Sequence, residues 1–289
     1  MIALSLAQLA EVLGIDPIAA DGEFVGVTID SRQSCDGKLF VAISGENFDG
    51  HDYVDATQGA VAALVERPVD SAIPQLVVDD CVAALGRLAR FWRHQCNPRV
   101  VALTGSNGKT TVKEMVYRIL SSVAPTLATK GNFNNEIGLP LTLFELDAAE
   151  RYAVIEMGAN HRGEIARLTR IAEPDIVYVN NAASAHLEGF GGLQGVVEAK
   201  GEIYAYCQPE HSALFNLDEP ASAYWQDICA ATTRLGCALD HAADVSLDWR
   251  AVDGGIELDV DYDGARESCR ARRRRSPPAV TSTTTSACR

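Results

Sequence analysis

The spacing of apolar positions changes period repeatedly along this chain. Residues 5–13 carry helical spacing, and 25–43 reads as short strands broken by the turn-forming Cys35-Asp36-Gly37-Lys38. A helix is predicted over 53–65 and a strand over 75–78, so that a small α/β domain ends near Asp80. Val82, Leu85, Leu88 and Trp92 then share one face of a helix over 81–94, which Asn97-Pro98 breaks.

Beyond residue 99 the pattern becomes regular. Apolar runs at 100–103, 153–155, 176–179 and 213–215 alternate with helical patterns at 110–120, 164–171, 196–206 and 222–230. Strands that alternate with helices imply crossover connections and a mostly parallel sheet with helices on both faces. From about residue 244 the period drops to two (Val245, Leu247, Trp249; then Ile256, Leu258, Val260) around Gly254-Gly255, which predicts an antiparallel hairpin at the sheet's edge. The expected divisions are 1–80, 81–268 and a tail, 269–289. A length of 289 residues fits about two domains.

Charge sharpens that last boundary. The chain holds 25 basic and 39 acidic residues, for a net charge of −14. Residues 269–289 carry six arginines (Arg270, Arg272, Arg273, Arg274, Arg275, Arg289) and no acid, which leaves 19 basic against 39 acidic residues, or −20, for 1–268. So acidic a body argues against binding a nucleic-acid backbone. The tail has little to bury and is expected to be disordered, read either as a polybasic anchor or as a non-native peptide. No apolar run approaches the roughly 18 residues that span a bilayer, and no basic region precedes a first apolar stretch, so a cytoplasmic protein is expected. The eight cysteines lack metal-ligand spacing and read as buried or incidental thiols.

The strongest chemical signal is the strand, glycine turn and helix of Val101-Ala-Leu-Thr-Gly105-Ser-Asn-Gly108-Lys109-Thr110-Thr111. Glycines let backbone N–H groups approach phosphate oxygens, and a helix N-terminus favours anions. Lys109 would reach the phosphates and Thr110 a Mg2+ ion, although Leu103 stands where the strict phosphate-loop pattern has glycine. Glu156 ends an apolar run, where a carboxylate in an open α/β sheet could take a metal or simply cap or pair. His186 follows the run at 176–179, another strand-end position, but a lone loop histidine is more often a surface or hydrogen-bonded group than a ligand. Lys200 falls in a helical pattern, on what would ordinarily be a solvated face. Asn132, Asn134 and Asn135 crowd a polar loop before a helix, as turn chemistry or as ligand contacts.

These segments resemble a known family. Thr104-Gly-Ser-Asn-Gly-Lys-Thr-Thr111 resembles the nucleotide loop of the ATP-dependent Mur ligases, the amide-bond-forming enzymes of peptidoglycan precursor synthesis. Gly131-Asn-Phe-Asn-Asn-Glu-Ile-Gly-Leu-Pro-Leu-Thr142 and Glu156-Met-Gly-Ala-Asn-His-Arg-Gly-Glu-Ile165 resemble the members that join D-Ala-D-Ala to UDP-N-acetylmuramoyl-tripeptide. Asp30-Ser-Arg32, Gly37-Lys-Leu-Phe-Val41 and Gly45-Glu-Asn-Phe-Asp-Gly-His-Asp52 resemble their N-terminal UDP-sugar-binding domain.

The resemblance runs over about residues 1–268 and implies a P-loop-type central domain. It implies that Lys109 and the backbone of Gly105, Ser106, Asn107, Gly108, Thr110 and Thr111 hold the ATP phosphates. Thr110 and Glu156 would serve one Mg2+, and His186 with a carbamylated Lys200 a second. Ser31, Arg32, Asn134 and Asn135 are the candidates for holding the UDP-sugar substrate. The implied reaction forms an acyl phosphate on the tripeptide, which the D-Ala-D-Ala amine then displaces. The family's third, C-terminal domain has no counterpart expected here, and the central domain is expected to lack its last elements. The alternatives are an ATP- or UDP-sugar-binding fragment without turnover, or a sister Mur ligase. A monomer without a nucleic-acid partner is expected.

Overall fold

Strand β1 (Ala3–Ser5) leads directly into α1 (Leu6–Leu13), and the local sequence explains the junction. The Ser5 hydroxyl accepts the Gln8 N–H at 3.2 Å while the Gln8 side chain accepts the Ser5 N–H at 3.0 Å, a reciprocal cap. The computed structural model describes residues 1–45, 48–183, 187–239, 241–253 and 255–272. They divide into two compact units, the second beginning at Gly236.

In the larger unit, β2 (Glu23–Val25) pairs antiparallel with β1. Strands β3 (Val27–Thr28), β4 (Leu39–Val41), β5 (Ala62–Val65) and β6 (Gln75–Val77) then form a parallel sheet in that order. The helix expected over 53–65 is not there. A 3-10 helix, Gly50–Ala56, occupies its start, and β5 occupies its end. All four residues of β5 are fully buried, as in a strand covered on both faces. Such a strand reads as an unbroken apolar run, which periodicity alone cannot separate from a buried helix.

Asp80 caps α2 (Cys81–Cys96) by accepting the Ala83 N–H at 2.9 Å, and Asn97 ends it in the left-handed region at φ 47°. Then follow β7 (Arg99–Thr104), α3 (Lys109–Ser121), β8 (Thr126–Ala128), α4 (Gly138–Leu143) and β9 (Tyr152–Glu156). The unit continues through α5 (Glu164–Ala172), β10 (Ile176–Val179), α6 (Leu187–Phe190), α7 (Leu193–Ala205), β11 (Ser212–Asn216) and α8 (Ser222–Ile228). Five strands lie parallel in the order β11-β10-β7-β9-β8. Later strands are added on both sides of β7, so its C-terminal end is the switch point where open α/β sheets bind ligands. Tyr204 anchors α7 to this sheet. Its hydroxyl donates to the Leu214 carbonyl at 2.6 Å and accepts the Val179 N–H at 2.9 Å, and its ring stacks on Phe215 with centroids 4.6 Å apart.

Strand β12 (Thr233–Leu239) carries the chain across the boundary into the smaller unit. There β13 (Val245–Val252) and β14 (Gly255–Tyr262) form the expected antiparallel hairpin. A third strand, β15 (Ala265–Arg272), pairs antiparallel with β14, so the hairpin is not the edge. Residues 269–272, expected at the head of a disordered tail, therefore belong to a strand. Ladder hydrogen bonds come from the backbone and require no apolar side chains. The rest of that tail, 273–289, lies outside the described residues. Cys35, Cys81, Cys207 and Cys229 are buried and free, as expected. Among the described residues, no helix is long and apolar enough to cross a membrane.

Candidate functional site

Two glycines shape the loop between β7 and α3. Gly105 at φ 152° passes so close to Asn180 that a Cβ would sit 3.0 Å from its Cβ, and Gly108 adopts φ 75° with the Asn180 amide 2.9 Å from where a Cβ would be. Asn180 and Asn181, directly after β10, brace the loop from the side. The Ser106 N–H donates to the Asn181 carbonyl at 3.0 Å and the Asn107 N–H to Asn181 Oδ1 at 2.9 Å. Both asparagine amides donate to the Asn107 carbonyl, at 2.7 Å from Asn180 and 3.1 Å from Asn181. The Ser106 hydroxyl donates to the Ala183 carbonyl at 3.2 Å and accepts its N–H at 2.9 Å. Gly108 provides no side-chain cap, so the first-turn amides of α3 have no intrahelical acceptor and present a positive end.

Glu156, at the end of β9, is 3% exposed, and both its carboxylate oxygens are held. Thr110 Oγ1 donates to Oε2 at 3.0 Å and Asn134 Nδ2 to Oε1 at 2.8 Å, while the Glu156 N–H donates to Thr129 Oγ1 at 3.0 Å. Lys109 folds over its own loop and donates to the carbonyls of Gly105 at 2.7 Å and Ser106 at 3.4 Å. Burial lowers its pKa, against the opposing pull of Glu156.

Lys200 corrects the expectation of a solvated face, because it is only 4% exposed. It sits in α7 among the buried Val196, Ala199, Ile203 and Tyr204, with its ammonium 5.6 Å from the Phe190 ring centroid. Burial first, then the neighbouring Lys109, pull its pKa down to about 8, while Glu164 and Glu202 oppose the shift. Glu202 is already engaged, accepting the Ala166 N–H at 3.0 Å and the Gly163 N–H at 2.6 Å at the start of α5.

A cavity of about 440 Å³ brings Gly105, Ser106, Lys109, Asn134, Asn135 and Lys200 together. Thr110 and Glu156 adjoin it through the Asn134 bond. Asn135 also has a structural task, since its Oδ1 accepts the Gly138 N–H at 2.8 Å at the start of α4. Thr111 is exposed. His186 lies outside the described residues. Because Asn181 takes the Ser106 and Asn107 N–H groups, the donors suited to a phosphate are Lys109 and the uncapped first-turn amides of α3. The hydroxyl of Thr110 and the carboxylate of Glu156 are the hard oxygen donors that Mg2+ prefers. Among the described residues no three His, Cys, Asp or Glu side chains gather as a metal site, so a cation here would take its remaining ligands from phosphate oxygens and water.

Ser31 and Arg32 belong elsewhere. The Arg32 guanidinium clamps Asp30, with Nε 2.8 Å from Oδ1 and Nη2 3.0 Å from Oδ2, and holds that carboxyl well below the usual range. Asp30 lines a second cavity of about 380 Å³, with Thr28, Gln33, Lys38, Lys130 and Phe133. Sequence reasoning missed Asn180 and Asn181, although the strand-end rule that found Glu156 applies equally to them. It also missed Thr129 and Lys113, for which the sequence carries no signal.

The model for the Mur ligase middle domain matches residues 103–253, and that for the Mur ligase family catalytic domain matches 23–93. The UDP-N-acetylmuramoyl-tripeptide–D-alanyl-D-alanine ligase of Escherichia coli K12 is 49% identical over 230 residues, covering 79% of this chain and 51% of that protein. The ligase of the same name from Haemophilus influenzae is 47% identical over 234 residues, covering 78% of this chain and 51% of its own length. Among solved structures, MurF from Acinetobacter baumannii superimposes with a TM-score of 0.86 at 35% identity, covering 94% of this chain and 61% of that one. MurF from Thermotoga maritima, crystallised with ADP, gives 0.75 at 31% identity, covering 85% of this chain and 57% of that one. This chain spans about half the length of the relatives it matches.

Proposed function

Because this chain belongs to the Mur ligase family, we propose that it carries the UDP-sugar-binding (1–80) and ATP-binding (81–268) parts of a MurF-type ligase. The reaction joins D-Ala-D-Ala to UDP-N-acetylmuramoyl-tripeptide and cleaves ATP to ADP and phosphate. The relatives bear the name of that reaction, and the Thermotoga structure holds ADP. The observation that carries the reading is one cavity that unites a preformed phosphate loop, Lys109 and the buried Lys200 beside the Thr110–Glu156 pair. The reading includes a cytoplasmic site of action, where ATP and a UDP-linked substrate would be met, and a monomeric protein.

In this reading the first turn of α3, with the loop N–H groups that Asn181 does not take, binds the phosphates. Lys109 leaves the carbonyls of Gly105 and Ser106 to follow charge onto the transferring phosphoryl group. Thr110 and Glu156 would hold Mg2+, which offsets phosphate charge when bound. The tripeptide carboxylate attacks the γ-phosphorus, ADP leaves, and an acyl phosphate forms. The dipeptide amine attacks the acyl carbon, phosphate departs, and the amide remains. The chain's own contribution is mainly positioning.

Lys200 is proposed to be carbamylated. With a pKa of about 8, roughly a tenth of it is neutral at pH 7, enough to attack CO2 with loss of one proton to solvent. The cation becomes an anion beside Lys109, and with His186 it would supply oxygen and nitrogen donors to a second cation. Ser31 and Arg32, which follow the cavity-lining Asp30 in the chain, and Asn134 and Asn135, which line the 440 Å³ cavity, are proposed to hold the UDP-sugar peptide.

Phosphate release tests the proposal. The expected result is release only when ATP, Mg2+, the UDP-linked tripeptide and D-Ala-D-Ala are all present. Equal release without the dipeptide contradicts it. Tight nucleotide or UDP-sugar binding without turnover would reassign the chain as a binding fragment, and turnover with a single amino acid in place of the dipeptide would make it a sister ligase.

A further inference from the structure

Helix α3 buries one side chain completely, and it is a lysine. Lys113 is 2% exposed, whereas Met115 and Ile119 on the same helix are 59% and 67% exposed. An apolar side chain at 113 would bury without desolvating a charge, and replacing buried ions by apolar groups is often neutral or stabilising. The ammonium is therefore informative.

Its partners close a ring around the Glu156 carboxylate. Lys113 Nζ donates to the Thr129 carbonyl at 2.6 Å and pairs with Glu114 at 2.9 Å. Thr129, 1% exposed, donates its own N–H to the Val154 carbonyl at 3.0 Å, and its hydroxyl accepts the Glu156 N–H at 3.0 Å. Glu156 Oε2 in turn accepts from Thr110 Oγ1 at 3.0 Å. Thr110 and Lys113 stand one turn apart on α3. The path thus runs from helix to the end of β8, to the end of β9, and back to the same helix.

We infer that Lys113 is a positioning residue for the divalent cation that accompanies the nucleotide, fixing the spacing between Thr110 and Glu156 by holding Thr129 against α3. The inference rests on the nucleotide reading above. Outer-shell hydrogen bonds of this kind orient metal ligands, and their loss costs about 10- to 100-fold in metal affinity.

The test is calorimetric titration of this chain with a non-hydrolysable ATP analogue, with Mg2+ and with chelator, in wild type, Lys113→Met and Lys113→Arg. The readout is the ratio of the two dissociation constants, which a general loss of stability leaves alone. Lys113→Met is expected to lower the enhancement by Mg2+ about 10- to 100-fold while Mg2+-free affinity stays at the wild-type value, and Lys113→Arg should recover part of it. A wild-type ratio in Lys113→Met overturns the inference, as does an equal loss of both affinities, the mark of a purely structural tether. Where Lys113→Met fails to fold, Thr129→Val removes the next link. The same loss of ratio supports the inference, and an unchanged ratio overturns it. Wild-type protein that shows no Mg2+ enhancement overturns the nucleotide reading and this inference together.

Discussion

Lys200→Met should stabilise the protein while abolishing its turnover. Methionine keeps the unbranched stem but removes an ammonium that burial opposes. A fall in pKa from 10.5 to about 8 corresponds to about 3 kcal/mol against folding with that lysine protonated. The folded pKa is the lower one, so the penalty is complete below pH 8 and fades as pH rises towards 10.5. The variant should therefore exceed wild type by about 3 kcal/mol at pH 7 and by only about 1 kcal/mol at pH 9.5. Urea unfolding in CO2-free buffer at the two pH values measures both differences. Added bicarbonate should raise wild-type stability through the carbamate and leave the variant unchanged. A variant no more stable than wild type at pH 7, or an advantage that does not shrink with pH, would refute the charge-burial argument.

Tyr204→Phe removes one donor and strands the buried Val179 N–H, so it should cost about 1–3 kcal/mol in urea unfolding. Asn181→Ala unbraces the phosphate loop and should weaken binding of a non-hydrolysable ATP analogue on the order of tenfold in calorimetry, because the loop must then be ordered on binding. Asp30→Ala removes a carboxylate that lines the 380 Å³ cavity and holds Arg32, and should lower affinity for a UDP-sugar without changing affinity for the nucleotide. Equal loss of both would show that the two cavities do not bind separate ligands.

Four strands of the central sheet were legible because they hold apolar runs of three or four residues between amphipathic helices, as in Ile176–Val179 before Asn180. Strand-end logic then pointed to Glu156, and the glycine turn to Lys109. Other elements were hidden for identifiable reasons. Strand β8 is three residues long behind Pro125, too short to show a period. The run Ala62–Val65 is apolar throughout, so nothing distinguished strand from helix. Strand β15 carries Arg266, Glu267 and Arg270, and its pairing rests on backbone groups that composition does not report. Lys200 read as an ordinary helix-surface lysine and nothing singled out Lys113, because their burial depends on groups outside their own helices: the Phe190 ring for one and the Thr129 carbonyl for the other.

The central claim is that the tripeptide carboxylate takes the γ-phosphoryl group before the amide forms. Its most direct test is isotope transfer. A UDP-linked tripeptide with 18O in the terminal carboxylate is incubated with this chain, ATP, Mg2+ and D-Ala-D-Ala, and the released phosphate is weighed by mass spectrometry. The account predicts one 18O atom in each phosphate, because the attacking oxygen leaves with phosphorus when the amine displaces it. Phosphate free of 18O would mean that water, not the carboxylate, attacks the nucleotide.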